Sequence, residues 1–282
     1  MTTLRVGLVQ LNSQHDRAAN LAAIDDLVAA AAARGARFVM LPEHAPYLGP
    51  QAGYQDGAEA IPGPTSERFA ALARRHGIYL HAGSLVERTD QPGKYANTSL
   101  VFDPSGTLIA KYRKIHLYDV EIPGRVSAKE SDNVAPGNEI VTVQIDGITF
   151  GLAICYDLRF PELFRLLALH GAEVLVNPAA FTLYTGRDHW EVLLRARAIE
   201  NQAWMLAAAQ WGKHEPNAAC HGRSLVIDPW GTVVAQAPDG VGVVIAEIDT
   251  ALVERQRTEL PSLANRQPAA YRLEATGVPA LR

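Results

Sequence analysis

Three side chains in this 282-residue sequence have the chemistry of a nucleophile, a base and a cation, and each falls where an apolar run stops. Cys155 ends the run Gly151-Leu152-Ala153-Ile154 and leads into Tyr156-Asp157. A thiol where a strand gives way to a loop and then a helix is held rigidly, with backbone N–H groups nearby to face a substrate oxygen. Glu43 follows Phe38-Val39-Met40-Leu41-Pro42, the same kind of place. Partial burial there would raise its pKa and suit it to take a proton near neutrality. Lys114 closes Lys111-Tyr112-Arg113, and strand alternation puts it on the face of Tyr112, opposite Arg113. An inward ammonium can hold a developing oxyanion. Taken singly, each has an ordinary reading: a cysteine packed as a small hydrophobe, a solvated loop glutamate, a basic edge strand that blunts aggregation.

The elements that must position these groups follow from periodicity. Residues 4–11 are strand-like, and Asp16 opens an Ala-rich helix with Leu21, Ile24, Leu27, Val28 and Ala31 at helical spacing, closed by Gly35. Residues 38–41 read as a buried strand and 65–76 as a helix ended by Gly77. Strands follow at 78–86, 95–102 and 107–114, then a hairpin of 140–145 and 148–155 around Asp146-Gly147. Helices are predicted at 161–170 and 187–201, with strands at 173–177 and 204–210. Strands at 223–228, 232–236 and 243–248 and a helix at 250–260 precede a polar tail from 261. No repeat or linker divides the chain, so residues 1–282 read as one domain. Hairpins mixed with helices rule out a purely parallel sheet and fit two mixed sheets with helices on their outer faces.

Composition removes whole classes of function. A net charge of -4 gives no general attraction to nucleic acid, and no run approaches the ~18 apolar residues of a membrane span. Two cysteines are too few for a disulfide framework, so the expected setting is cytoplasmic with reduced thiols. The Asn97-Thr98-Ser99 sequon is then read as chance. Neither phosphate-cradling glycine loops nor zinc-ligand spacings occur, so no cofactor and no metal are expected.

Together the three candidates change in meaning. Leu41-Pro42-Glu43, Tyr112-Arg113-Lys114-Ile115-His116-Leu117 and Cys155-Tyr156-Asp157-Leu158-Arg159-Phe160-Pro161-Glu162 resemble the Glu–Lys–Cys segments of the nitrilase superfamily of carbon–nitrogen hydrolases. The resemblance continues through Val120 to Gly124, Gly186 to Glu200, His221 to Ser224 and Asp228 to Gly231. It implies an α/β fold, an αββα four-layer sandwich with two mixed sheets. It also implies a cysteine-dependent amidase: Cys155 as nucleophile, Glu43 as base, Lys114 and the Tyr156 N–H at the oxyanion. Relatives of this kind carry a second glutamate between the lysine and the cysteine, a place that Glu130 occupies. Tyr-Asp after the cysteine disfavours nitrile hydrolysis, for which Trp-Glu is usual.

The segments around Asp119 and His189 look most like deaminated-glutathione amidases, with omega-amidases acting on 2-oxoglutaramate next and N-carbamoyl amino-acid hydrolysis third. The partner is then a small amide. The resemblance also implies a homodimer or larger homo-oligomer. A catalytically silent scaffold is the reading of a different class. Tyr47, Phe181 and Thr182 are expected as pocket walls and Arg187 as a carboxylate ligand. Cys220 is taken as a packed small residue, His116 and His189 as scaffold, and Trp190, Trp204 and Trp230 as packing groups, two of them at a subunit interface.

Overall fold

The computed structural model describes residues 3–216 and 218–271. Most strands belong to two sheets. In the first the order is Gly242–Asp249, Thr3–Gln10, Phe38–Met40, Tyr79–His81, Tyr95–Phe102 and Leu85–Arg88, with Leu108–Arg113 also on Tyr95–Phe102. In the second it is Val233–Gln236, Leu225–Ile227, Trp204–Ala207, Val174–Val176, Ile148–Leu152 and Thr142–Ile145. Each sheet has three parallel strands at its centre and antiparallel neighbours outside them. The central strands Phe38–Met40 and Val174–Val176 are buried on both faces, which is why they read as unbroken apolar runs.

Six α-helices are described: α1 (Arg17–Ala33), α2 (Gln51–Asp56), α3 (Pro64–His76), α4 (Pro161–Leu169), α5 (Leu183–Asn201) and α6 (Thr250–Glu259). The Asp16 carboxylate caps α1 by accepting from Ala19 N at 3.0 Å. Ile24 and Val28 of α1 and Phe69 and Leu72 of α3 cover one face of the first sheet through Val39, Leu80 and Leu100. Phe164 and Leu167 of α4 and Trp190 and Leu194 of α5 pack with the second sheet. Between the sheets, Phe38 meets Phe150 with ring centroids 4.9 Å apart. Burial of such side chains contributes ~1.5–3 kcal/mol each. The layers are therefore helix, sheet, sheet, helix, as expected.

Several boundaries differ from the sequence reading. The strand predicted at 78–86 is cut in two by Gly83, whose φ of +64° and missing Cβ let it lie against the Pro42 carbonyl, 1.9 Å from where a Cβ would stand. That close approach fixes the segment leading to Glu43. Helix α5 begins at Leu183 rather than 187 because Gly186 is no breaker here; it lets the helix approach His221, 2.4 Å from an added Cβ. Helix α2 and the hairpins Asp119–Ile122 with Val126–Lys129 and Trp211–His214 with Ala218–His221 were not anticipated. Their strands are short and half-exposed, so they carry little apolar signal. The expected tail is a series of turns over 261–271; residues 272–282 lie outside the described residues. Among the described residues no helix is long and apolar enough to cross a membrane.

Candidate active site

The carboxyl ends of the parallel strands open onto one cavity of about 380 Å³, the place where ligands bind in open α/β sheets. Glu43 lies at its floor, three residues past Phe38–Met40 and 2% exposed. Its Oε1 accepts from Asn97 Nδ2 at 2.9 Å and Lys114 Nζ at 3.0 Å, and its Oε2 from Ala180 N at 2.8 Å. Gln210 Nε2 donates to the Glu43 carbonyl at 3.0 Å. Burial alone would raise the Glu43 pKa, as expected from sequence, but the Lys114 ammonium outweighs it and holds it at about 2. The expected direction is thus corrected: a pinned carboxylate beside an ammonium stays ionised.

Lys114 comes directly after the edge strand Leu108–Arg113, on the face of Tyr112, which is also buried while Arg113 points out. Its N–H donates to Asn97 O at 2.9 Å, which ties it to the neighbouring strand. Its Nζ reaches Glu43 and, at 2.9 Å, Glu130 Oε2. Glu130 starts a short 3-10 turn and accepts the Tyr118 N–H at 2.6 Å through the same oxygen. Burial would lower the Lys114 pKa; Glu130 and Glu43 reverse that and keep it well above its ordinary value. Two carboxylates bind one ammonium through three oxygens, Glu43 Oε1 at 3.0 Å and Glu130 Oε2 and Oε1 at 2.9 and 3.2 Å.

Cys155 opens a 3-10 turn (Cys155–Arg159) with φ of 46°, a strained value for a residue other than glycine. Asp157 locks the turn: it accepts Ile154 N at 2.8 Å, Tyr112 OH at 2.7 Å and His116 N at 3.0 Å. Cys155 N donates to Pro178 O at 2.9 Å and Asp157 N to Ile154 O, whereas the Tyr156 N–H precedes any carbonyl of the turn that could accept it. Burial, then the Glu43 charge, hold the thiol well above its ordinary pKa. The resting pair is thiol and carboxylate, not a preformed thiolate.

Above this floor the walls come from Tyr54, Tyr95, Tyr118, Tyr156, Phe181, Thr182 and Cys220, with Arg159 at the side. Phe181 and Thr182 are where the sequence reading put them. Tyr47 is not: its hydroxyl turns back onto Pro50 O at 2.8 Å, and the ring supports Tyr54 edge-on at 4.9 Å. Arg187 is exposed on α5 and does not line the cavity; helical phase carries it outward. Arg159 lines it instead, its guanidinium 5.1 Å from the Phe181 ring centre and 3.3 Å from His189 Nδ1. His116 is scaffold, bound to Asp157 at 2.7 Å and stacked on Phe160. Trp190 and Trp204 are buried in the core, so the expected pair at an interface is corrected: only Trp230, 61% exposed, is available.

Asn97, His44 and Asp157 were missed. Asn97 was legible only as a sequon, yet it is fully buried and binds Glu43. Glu43, His44 and Glu130 approach within 4.8 Å of one another, but the Lys114 ammonium already bridges the two carboxylates and fills that space with positive charge.

The carbon–nitrogen hydrolase profile matches residues 5–258. The chain is 37% identical over 276 residues to the omega-amidase NIT2 of Homo sapiens, covering 97% of this chain and 99% of that protein. It is 41% identical over 276 residues to the deaminated glutathione amidase of Homo sapiens, covering 94% and 83%. The crystal structure of the C. elegans NitFhit protein superposes with a TM-score of 0.89 at 37% identity, covering 98% of this chain and 68% of that one.

Proposed function

The chain belongs to the carbon–nitrogen hydrolase family, and on that premise we propose that Cys155, Glu43, Lys114 and Glu130 are the catalytic machinery by which it hydrolyses the amide bond of a small metabolite. The observation that carries this reading is the convergence of a thiol, a carboxylate and an ammonium on one cavity that Cys155, Glu43 and Lys114 all line, with Lys114 Nζ 3.0 Å from Glu43 Oε1.

As Cys155 Sγ attacks the amide carbonyl, Glu43 takes the thiol proton. With the thiol pKa held up by burial and the Glu43 charge, transfer of the proton accompanies the attack. The carbonyl oxygen becomes an oxyanion held by the Lys114 ammonium, whose longer contact to Glu130 Oε1 at 3.2 Å is the one to yield, and by the Tyr156 N–H, each such donor being worth ~3 kcal/mol. Glu43 then protonates the leaving nitrogen and ammonia departs, leaving a thioester. A water gives its proton to Glu43 and attacks the thioester; the C–S bond breaks and the thiol is restored. Glu130 keeps Lys114 charged and aimed.

The substrate reading is a 2-oxo-acid amide bearing a carboxylate, deaminated glutathione or 2-oxoglutaramate, with Arg159 rather than Arg187 as the carboxylate's partner. One relative is named a deaminated glutathione amidase and another an omega-amidase, and Arg159 is the guanidinium that lines the cavity. An N-carbamoyl amino acid is the next candidate. We take the setting as cytoplasmic metabolite repair, with Cys155 and Cys220 both free, and a second copy as the partner of the exposed α5 face that carries Tyr184, Val192 and Ile199 beside Trp230. The test is ammonia release from deaminated glutathione, 2-oxoglutaramate and an N-carbamoyl amino acid side by side. Turnover of at least one, absent in Cys155→Ala, is expected; activity surviving that change would end the reading.

A further inference from the structure

The residue after the base is a histidine in a backbone conformation uncommon for any residue that carries a Cβ. His44 has φ of 55°, in the left-handed region that glycine and asparagine enter at least cost. The chain is held there by a hydrogen bond from His44 N to Ser84 Oγ at 2.9 Å and another from Tyr47 N to the His44 carbonyl at 3.1 Å. A side chain kept against the preference of its backbone points to a task for the ring. That ring lines the reaction cavity, edge-on to Tyr54 at 5.1 Å. Its Nε2 stands 3.9 Å from Glu43 Oε1, beyond direct hydrogen-bond reach, and its Nδ1 is buried with no partner.

We propose that His44 Nε2 and Glu43 Oε1 together form the subsite for the small molecules of this reaction, the ammonia that departs and the water that replaces it. A gap of 3.9 Å between two polar atoms lets one such molecule touch both. The imidazole faces Glu43, Lys114 and Glu130, and burial pushes it below its ordinary pKa, so the ring is neutral and can hold a water without competing for the proton. During deacylation the water's proton goes to Glu43 as its oxygen bonds to the thioester carbon; the C–S bond breaks and Sγ recovers that proton. His44 changes no protonation state; it fixes the direction of attack.

The assignment rests on the proposed roles of Cys155 and Glu43, and the test separates the two ideas. p-Nitrophenyl acetate acylates a nucleophilic cysteine with a burst of nitrophenol and then turns over at the rate at which water deacylates it. Loss of the burst in Cys155→Ala checks the nucleophile. In His44→Gly the burst should persist while the steady rate falls at least ~10-fold, and added imidazole should restore part of that rate. His44→Asn, which also tolerates this backbone, should lose the same rate with its melting temperature unchanged or raised. A wild-type steady rate in both variants, or a lowered rate that imidazole cannot restore together with a lowered melting temperature, would overturn the proposal.

Discussion

At the floor of the cavity Glu43, Lys114, Glu130 and Asn97 bind one another, whereas at its side wall Arg159, Tyr118 and Thr182 face open space. The floor is closed: Glu43 alone accepts from a side-chain amide, an ammonium and a backbone N–H. Moving Glu43 or Lys114 would leave a buried charge unpaired, which costs several kcal/mol. Tyr118 at the wall keeps a buried hydroxyl without a protein acceptor. On the proposed function the contrast separates reaction from recognition: the floor would fix which bond is cut, the wall which molecule is admitted.

The sharpest way to break that division is to remove one floor residue that carries no charge at rest. Cys155→Ala should cut turnover by ~10⁴-fold or more, with the melting temperature nearly unchanged, since one small buried side chain replaces another. Lys114→Met should do both kinds of damage, because it leaves Glu43 and Glu130 facing each other without their shared ammonium. Removing one partner of a buried pair costs ~3–5 kcal/mol, to be read in urea unfolding, and activity should vanish with it. If Lys114→Met proved as stable as the parent, the floor would not be the interlocked unit described.

Acid should take the floor apart from the other side. The Glu43 pKa lies at about 2, below its ordinary 4.5, so the folded state binds fewer protons there than the unfolded one. The stability this contributes is complete above the ordinary value and is lost as pH falls from about 4.5 towards 2. Glu87 adds to the same window, also held at about 2, because hydrogen bonds from Arg113, Thr98 and Lys111 outweigh its burial. Unfolding midpoints measured from pH 6 downward should therefore fall steeply in that window, and Glu43→Gln should flatten part of the fall. An unchanged slope in that variant would contradict the depressed pKa.

How much of this was legible follows the same division. Glu43, Lys114 and Cys155 could be read because each ends or follows a strand, and a strand's alternation or apolar run says where the next residue goes: Tyr112 and Lys114 inward, Arg113 outward; Glu130 was reached only through the family resemblance. Asn97 escaped because Tyr95–Phe102 is buried along its whole length, so no alternation marks which face a residue serves. The wall is made by turns. Tyr47 follows Glu43 by four residues, yet its side chain is decided by the bend to Pro50, a matter of local dihedrals. Arg159 and Arg187 differ only in what surrounds them, since the 3-10 turn after Cys155 aims one at Phe181 and helical phase sends the other to solvent.

Effects at the wall should be smaller and selective. Glu130→Gln stands between the regions: it keeps the shape but weakens the hold on Lys114, and should lower kcat ~10- to 100-fold, less than a lost nucleophile. Arg159→Gln should lower kcat/KM for a carboxylate-bearing amide by roughly 10- to 100-fold through KM, the size of one charge-assisted hydrogen bond. It should leave a neutral amide of the same length nearly unaffected. Equal losses on both substrates would make Arg159 a support for Phe181 and Tyr156 instead of a carboxylate ligand.

The smallest expected change is the control for that assignment. Arg187→Ala removes an exposed guanidinium that does not line the cavity, so both kinetic constants should stay within ~2-fold and stability within ~0.5 kcal/mol. Tyr47→Phe should also leave the kinetics intact, but it deletes the bond to Pro50 O and should cost ~1 kcal/mol of stability. The two variants thus separate two ways of lying outside the cavity, one on the solvent side of α5 and one behind the wall. A rise in KM for Arg187→Ala on charged amides alone would mean that α5 reaches the substrate from the mouth, and the line between wall and surface would have to be drawn farther out.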